Sequence, residues 1–246
     1  MNFNDKVALV TGSSKGIGRS TILEFARLGC NVVINYNNSE YEALELKEEV
    51  EKTYNVKALA IKCDISNEEE VKNMINEIIN VFGKLDILVN NAGIAIDTTF
   101  EDKTVENFRR TLDVNLIGTF LVSKYASKSM LKNKYGKIIN ISSTNGIDTT
   151  YIESLDYDAS KAGVISLTKN LASEFAPYIN VNTIAPGWVM TEMNEELDEE
   201  FIKDETDKIM LGRFAKPEEI AKVITFLASD DASYINNAVI RVDGGF

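Results

Sequence analysis

The chain has 246 residues, 44% hydrophobic and 26% charged, and its 26 Lys and Arg against 38 Asp and Glu give a formal net charge of −12. This composition is ordinary for a globular protein, and the acidic balance argues against binding nucleic acid or an anionic membrane, both of which require a basic face. The absence of histidine excludes Ser-His-Asp and Cys-His catalysis and every histidine-based metal site, so acid–base chemistry must use Tyr, Lys, Asp, Glu or Cys.

Strand and helix patterns alternate along the chain. Short apolar runs predict strands at 6–11, 31–36, 56–63, 85–90, 137–142, 179–184 and 238–242. Helical patterns follow the first glycine turn to about residue 28, then cover 39–54, 66–82, 104–132, 157–176 and a segment starting at Pro217. In the third of these segments Ser66 and Glu69 have capping-box spacing. Residues 187–212 form an irregular, partly helical insertion, which we interpret as a substrate loop.

This alternation predicts an α/β fold: a single-domain, doubly wound (Rossmann) parallel sheet of about seven strands with helices on both faces, over residues 1–246. Ligands of such sheets bind at the carboxyl ends of the strands. Cys30 and Cys63 should lie at opposite ends of the sheet, beyond disulfide reach. The polar N-terminus does not resemble a signal peptide, and no apolar run approaches membrane-spanning length, so we expect a cytoplasmic protein.

A glycine-rich turn follows the first strand. Its sequence, residues 11–18, places glycines at Gly12, Gly16 and Gly18 and then opens a helix. Glycine permits a tight turn and a close backbone approach, and a helix N-terminus attracts an anion. The turn therefore predicts a pyrophosphate site, although its G-x-x-x-G-x-G spacing differs from the G-x-G-x-x-G fingerprint.

The end of the second strand bears on the choice of cofactor. NAD-binding proteins place a carboxylate there to hold the ribose 2′-hydroxyl, but here Tyr36 and Asn37 occupy that region. Lys15, inside the glycine turn, could provide a cation for a 2′-phosphate, which favours NADP(H) and leaves NAD(H) possible; alternatively Lys15 is only solvated. Asp64 ends the third strand and either binds the adenine amino group or belongs to a helix-entry turn.

Polar residues also follow the fourth and fifth strands. Asn90-Asn91-Ala92-Gly93 suits contact with a ribose, and Ser143 either faces the crevice or is an ordinary loop residue. Asn115 is unfavourable inside a helix, so it either accompanies a kink or serves a site. After the sixth strand, the rigid turn at 185–191 could flank a flat ring.

Tyr157 and Lys161 lie four residues apart at the start of a helical pattern, on one helix face. A nearby ammonium favours the phenolate, so Lys161 is expected to lower the pKa of Tyr157 and suit it to proton transfer. The alternative is a solvated surface pair.

Taken together, these motifs resemble the short-chain dehydrogenase/reductase family in order and over the full chain, and within it the 3-oxoacyl-[acyl-carrier-protein] reductase-like branch. The resemblance implies hydride transfer between a nicotinamide and a carbonyl or secondary alcohol, without a metal. It implies that Tyr157 is the general acid or base, that Lys161 lowers the pKa of Tyr157 and binds the nicotinamide ribose, that Ser143 holds the substrate oxygen, and that Asn115 supports a proton relay. The cofactor-binding residues that it implies are Gly12, Ser14, Lys15, Gly16, Ile17, Gly18, Asn37, Asp64, Ile65, Asn91, Ala92, Gly93, Tyr157, Lys161, Pro186, Gly187, Val189 and Thr191.

The family is usually tetrameric through the segment 104–132 and the Tyr157 helix, so the resemblance implies a homotetramer. It makes an NADPH-dependent reductase of 3-oxoacyl thioesters the leading hypothesis, with a dehydrogenase of a sugar, polyol or hydroxysteroid as the alternative and a sensor without turnover as a third. An acyl carrier protein is a doubtful partner, because Lys134 matches one basic docking position while the other falls near the uncharged Pro177-Tyr178. The segment 148–156 is a residue longer than expected. Its Asp148, Glu153 and Asp156 place three carboxylates beside the site, which could repel an anionic substrate or select a polar neutral one.

Overall fold

A parallel sheet forms the centre of the molecule. The computed structural model describes residues 1–192 and 197–246, and in these residues seven strands pair in the order β3-β2-β1-β4-β5-β6-β7. The strands are β1 (Val7–Val10), β2 (Asn31–Tyr36), β3 (Ala58–Lys62), β4 (Ile87–Asn90), β5 (Gly136–Ile141), β6 (Ile179–Pro186) and β7 (Val239–Val242). From β1 the strand order proceeds outward to β2 and β3 on one side, and from β4 to β7 on the other. The order therefore reverses between β1 and β4, and doubly wound folds bind ligands in the crevice at such a switch point.

Helices cover both faces of the sheet. They are α1 (Gly16–Arg27), α2 (Glu40–Thr53), α3 (Glu68–Phe82), α4 (Val105–Leu112), α5 (Thr119–Asn133), α6 (Leu155–Glu174), α7 (Glu199–Lys208) and α8 (Pro217–Ala228). Alternate side chains of β1 enter opposite cores: Ala8 and Val10 pack with α1, α2 and α8, whereas Val7 and Leu9 pack with α3, α5 and α6. Burial on both faces explains why the strands are continuous apolar runs.

The predicted α/β architecture is confirmed, with differences of a few residues at the ends of elements. The first helix begins at Gly16, inside the predicted turn, and β6 extends to Pro186. The predicted Ser66–Glu69 capping box is wrong: Asn67 caps α3 and accepts hydrogen bonds from the backbone N–H groups of Glu69 and Glu70. Cys30 and Cys63 are both buried free thiols, as expected.

The segment predicted as one long helix contains a π-helical stretch, Asp113–Gly118, between α4 and α5. Asn115 lies in this stretch and is buried. Single π turns within helices are frequent at functional sites. The predicted substrate loop contains α7 among its described residues, and residues 193–196 lie outside the described residues.

Within the described ranges, no helix is both long and apolar enough to cross a membrane.

Candidate active site

The glycine turn after β1 has the backbone conformation that its sequence predicts. Gly12 and Gly16 adopt φ values of 59° and 54°, in the left-handed region that favours glycine. A Cβ on Gly12 would lie 2.8 Å from the Cα of Ala92, so the turn and the end of β4 approach as closely as glycine allows. Gly18 packs behind the turn, where a Cβ would lie 2.6 Å from the carbonyl oxygen of Gly12.

Two amide side chains fix this turn from the neighbouring strands. Asn35 of β2 is buried; its Oδ1 accepts from the N–H of Gly12 at 3.1 Å, and its Nδ2 donates to the carbonyl of Cys63 at 3.1 Å. From the end of β4, Asn91 Nδ2 donates to the carbonyls of Thr11 and Gly12, each at 3.0 Å. Asn90, by contrast, points into the protein and donates to Ser123 and Asn140. The turn is therefore held rigid before any ligand enters.

A cleft of about 660 Å³ runs along the carboxyl ends of the strands from this turn to Tyr157. Its lining includes these residues predicted from the sequence: Gly12, Ser14, Lys15, Gly16, Ile17, Asn37, Asp64, Ile65, Asn91, Ala92, Gly93, Ser143, Tyr157, Lys161, Pro186, Gly187, Val189 and Thr191. The predicted residues Gly18 and Asn115 are not part of the lining; both lie behind it.

Charged partners surround the end of the cleft next to β2 and β3. Lys15 forms an ion pair with Glu42 of α2 at 2.9 Å, and both side chains are partly exposed. Asp64 accepts from the N–H and hydroxyl of Ser66 and pairs with Arg110 at 3.0 Å. The helix-entry role left open for Asp64 is thus present in the structure, and Asp64 also lines the cleft.

The side chain of Asn115 clamps the backbone that follows β4. Its Oδ1 accepts from the N–H of Ile94 at 2.8 Å, and its Nδ2 donates to the Ile94 carbonyl at 2.9 Å and to Ser160 Oγ at 3.0 Å. A Cβ on Gly93 would lie 3.3 Å from both Asn115 Oδ1 and Lys161 Nζ. The π-helical stretch thus brings an amide beside the lysine, with only glycine between them.

Ser143, Tyr157 and Lys161 meet at the inner end of the cleft. Lys161 is buried, its Nζ donates to the Ile141 carbonyl at 2.9 Å, and it lies 5.3 Å from the centroid of the Tyr157 ring. Burial lowers the pKa of Lys161 to about 8. Ser143 Oγ exchanges hydrogen bonds with Asn145, donating to its Oδ1 and accepting from its N–H.

The expected lowering of the Tyr157 pKa is wrong for this structure. Burial raises the pKa of Tyr157 to about 12; a hydrogen bond with Ser143 acts in the opposite direction, and the carboxylates of Asp158 and Asp97 raise it further. The physical reason is that desolvation disfavours the phenolate more than the neighbouring polar groups favour it.

A second cavity of about 690 Å³ adjoins the cleft, and Ser143, Tyr157 and Gly187 line both. Tyr151, Trp188, Phe201 and Phe246 give it aromatic walls. Asp97, Glu153 and Asp198 are the charged residues of its described lining, which contains no Lys or Arg. The tyrosine hydroxyl therefore lies where a molecule in the second cavity would meet one in the cleft.

The acidic segment 148–156 differs from its expected arrangement. Asp148 forms an ion pair with Arg241, and Asp156 is buried against Lys103 at 2.9 Å, so neither carboxylate faces the second cavity. Glu153 alone of the three lines it. The interpretation that three carboxylates flank the site is thus wrong, because basic residues far away in sequence pair with two of them.

Several residues at the site were not predicted from sequence, among them Asn35, Arg110 and Asp158. Asp158 accepts from Asn145 Nδ2 at 2.6 Å and from the N–H of Tyr151 at 3.2 Å, and so ties the loop after β5 to the start of α6. Its position next to Tyr157 was the available signal. The sequence gives no such signal for Asn35 and Arg110, because the groups that they bind, the N–H of Gly12 and the carboxylate of Asp64, lie more than 20 residues away along the chain.

The switch-point cleft and the cavity beside Tyr157 define a nucleotide-binding α/β enzyme of the doubly wound class. A sequence profile of the family described as "Enoyl-(Acyl carrier protein) reductase" matches residues 12–246. The chain belongs to the short-chain dehydrogenase/reductase family, whose members are NAD(P)-dependent oxidoreductases acting on carbonyl and alcohol groups.

Curated relatives and a solved structure support this assignment. The chain is 42% identical to "3-oxoacyl-[acyl-carrier-protein] reductase FabG" of Aquifex aeolicus over 98% of this chain and 96% of the relative. It is 42% identical to the protein of the same name from Staphylococcus aureus strain Mu50, over 98% and 97%. A crystal structure of levodione reductase superposes with a TM-score of 0.94 at 32% identity, covering 99% of this chain and 98% of that one.

Proposed function

We propose that this protein is an NADPH-dependent carbonyl reductase whose first substrate class is the 3-oxoacyl thioesters. The observation that carries the proposal is that Ser143 and Tyr157 line both the nucleotide cleft and the adjoining cavity. A carbonyl carbon beside these two hydroxyls would also be next to a nicotinamide in the cleft. Residues 1–246 would act as one unit, because the sheet that carries the cleft is built from strands at both ends of the chain.

The cleft fits a nicotinamide dinucleotide. Its volume lies within the ~300–1,000 Å³ usual for ligand sites, and its two ends are shaped by glycine. Side chains at Gly12 and Gly16 would meet Ala92 and Thr191, and one at Gly93 would approach Lys161, so glycine keeps the path open. The α1 N-terminus would hold the pyrophosphate, and Lys161 the nicotinamide ribose. When bound, the cofactor supplies or accepts a hydride.

The protein's own residues would handle the proton and the developing charge. Tyr157, neutral at physiological pH, would donate its proton to the carbonyl oxygen during reduction and accept it back during oxidation. Ser143 Oγ would donate a hydrogen bond to the same oxygen and stabilise negative charge there. Asn115, beside Lys161, would support a water-linked proton path to solvent.

The preference for NADPH rests on Lys15 and on the amides at the end of β2. Asn37 lines the cleft where NAD-specific proteins carry a carboxylate, so a 2′-phosphate would meet no negative charge from that position. Lys15 is close enough to contribute a cation, although Glu42 competes for it.

The thioester assignment comes from the relatives. Their printed names describe reduction of a 3-oxoacyl group on acyl carrier protein, and the family description also names that carrier. A carrier would have to dock on an acidic molecule. Lys134, which lies 5.7 Å from the Tyr178 ring, is one basic residue at the expected position.

One observation favours a second candidate, a dehydrogenase of a polar, ring-bearing alcohol such as a sugar, polyol or hydroxysteroid. The second cavity has aromatic walls and carboxylates without a base in its described lining. Such a lining suits a neutral ring with hydroxyl groups better than an anion.

We also propose that the protein is a cytoplasmic homotetramer; exposed apolar side chains on one segment support its assembly. Val105, Ile117, Phe120 and Leu131 are exposed on the segment from α4 to α5, through which we propose that subunits associate.

The test is the initial rate of NADPH and NADH oxidation with a panel of carbonyl compounds. It includes an acetoacetyl thioester with and without carrier protein, small diketones, ketosteroids and ketosugars. We expect NADPH to be preferred and the acetoacetyl thioester to be reduced. Equal use of NADH would refute the role of Lys15. A carrier-linked substrate no better than a short thioester would refute the carrier as partner, and turnover restricted to ketosugars or ketosteroids would favour the second candidate.

A further inference from the structure

Glu205 is a buried carboxylate on an otherwise acidic, exposed helix. The helix α7 carries Glu199, Glu200, Asp204 and Asp207 toward solvent, whereas Glu205 is only 3% exposed. A carboxylate buried in this way is costly unless hydrogen bonds and a counter-charge replace its water. The position of Glu205 therefore calls for partners that hold it there.

Three donors satisfy this carboxylate. Tyr151 Oη donates to Glu205 Oε2 at 2.5 Å, and Trp188 Nε1 donates to the same oxygen at 2.9 Å. Lys208, one turn along α7, pairs with Oε1 at 2.5 Å. Tyr151 comes from the segment between β5 and α6, and Trp188 follows β6, so one carboxylate joins three separate parts of the chain.

Both aromatic partners are walls of the second cavity. Trp188 stacks on Phe214, with ring centroids 5.4 Å apart, and meets Tyr151 and Phe201 edge-on at 5.7 and 5.5 Å. Tyr151, Trp188 and Phe201 line the cavity, whereas Glu205 does not. The carboxylate thus acts on the cavity from behind its aromatic walls.

We propose that Glu205 is a positioning residue for substrate: it fixes Tyr151 and Trp188 to α7 and so sets the width of the cavity beside Tyr157. The assignment rests on the proposed function in that this cavity receives the carbonyl substrate. Neither Tyr151 nor Trp188 lines the cofactor cleft, so the affinity of the protein for NADPH should not depend on Glu205.

The test compares E205A and E205Q with the wild-type protein. Loss of two hydrogen bonds from the aromatic walls to a charged group should raise KM for the acetoacetyl thioester about tenfold in E205A, with kcat changed less and the Kd for NADPH within about twofold. E205Q keeps the size and one acceptor oxygen, so it should recover part of the loss. E200Q, the same change at an exposed site of the same helix, is the matched control.

A second readout does not need turnover. Trp188 is the only tryptophan in the chain, so tryptophan fluorescence reports on the surroundings of this one side chain, which include its hydrogen bond to Glu205. We expect a shifted emission maximum in E205A and no shift in E200Q. Y151F should raise KM by itself, and its effect should be less than additive with E205A, because both remove the hydrogen bond between Tyr151 and Glu205.

The outcomes separate the two proposals. If the wild type reduces none of the carbonyl panel, the proposed function fails. The contact between Glu205 and Trp188 is then tested by the emission maximum of Trp188 alone. Unchanged emission in E205A would overturn the contact. Where turnover is measured, an unchanged substrate KM, or an equal loss of NADPH affinity, would reduce Glu205 to a structural residue. If E205A does not fold, the KM for the acetoacetyl thioester and the Kd for NADPH of E205Q and Y151F test the proposal in its place.

Discussion

Lys103 and Asp156 form an ion pair inside the protein, with Nζ 2.9 Å from Oδ1 and side chains 4% and 0% exposed. Asp156 also accepts from Thr111 at 2.7 Å, and Lys103 donates to the Ile96 carbonyl. Asp156 immediately precedes Tyr157. The pair therefore anchors the first turn of α6, which carries the tyrosine, to the entry of α4 and to the loop after β4.

Removing one partner should leave the other charge buried and alone. We expect D156N to lower the free energy of unfolding by about 3 kcal/mol, because breaking a buried pair is much costlier than breaking an exposed one. E69Q, which breaks the exposed pair with Lys72, is the control and should change stability little. Chemical denaturation monitored by circular dichroism measures both; equal effects in the two variants would contradict the burial argument.

The pH dependence of this effect has a defined sign. Burial raises the pKa of Asp156, but hydrogen bonds from Lys103 and Thr111 outweigh it, so the pKa lies below its ordinary value. The stabilisation is then complete above the ordinary carboxyl pKa of about 4 and is lost as the pH falls through the lower, folded-state value. The difference between wild type and D156N should accordingly shrink in acid; a difference that grows would be the wrong sign.

The sheet and the glycine turn could be predicted because their causes are local. Continuous apolar runs mark strands that are buried on both faces. The glycines at 12 and 16 indicate a tight turn, because glycine adopts the positive φ values that the turn has at both positions. The π-helical stretch around Asn115 was beyond such reasoning. Asn115 in this stretch hydrogen-bonds the backbone of Ile94, 21 residues away, and apolar periodicity does not reveal such a distant partner.

The ion pairs and pKa shifts could not be predicted from the sequence for the same reason, because they depend on residues that are distant along the chain. The sequence shows Asp148 beside other carboxylates, but not that Arg241 would pair with it across 93 residues. Likewise it shows Tyr157 one turn from Lys161, but not that desolvation would raise the pKa of the phenol and lower the pKa of the ammonium. The sequence shows which charged residues are neighbours along the chain, but it does not show how far the fold removes each of them from water.

Glu42 should weaken the preference for NADPH. Its carboxylate pairs with Lys15 at 2.9 Å, so a 2′-phosphate would compete with it for the ammonium. We expect E42Q to tighten NADPH binding about two- to fivefold, the range of an exposed ion pair, and to leave NADH binding unchanged. Titration calorimetry at low salt measures both, with E45Q on the exposed side of α2 as the control. Equal gains for both cofactors would show that the 2′-phosphate is not involved.

Tyr157→Phe should abolish turnover while preserving the cofactor site. The substitution removes the hydroxyl that would donate the proton and keeps the ring near Lys161, so we expect kcat to fall by about 10²–10⁴-fold. The Kd for NADPH, measured by titration, should stay within about twofold because the hydroxyl is one of many contacts in the cleft. S143A should lower kcat less, since it removes a hydrogen bond rather than the acid. Retained activity in Y157F would exclude Tyr157 as the proton donor.

Lys161 should destabilise the folded protein at neutral pH, and the effect should disappear in base. Burial lowers its pKa from 10.5 to about 8. Between these values the unfolded chain binds more protons than the folded one, so the stability contributed by this site rises with pH across that window. At pH 7 the cost of burying the ammonium is about 3 kcal/mol, at about 1.4 kcal/mol per pKa unit.

Lys161→Met keeps the length of the side chain and removes the charge. We therefore expect K161M to be more stable than the wild type at pH 7, and the gap to narrow as the pH rises through about 8 toward 10.5. Loss of the hydrogen bond from Nζ to the Ile141 carbonyl offsets part of the gain at every pH, so the pH trend is the decisive quantity. Urea denaturation of both proteins over this range measures it. A pH-independent gap would mean that Lys161 is solvated in the folded protein and that its buried position does not set its charge.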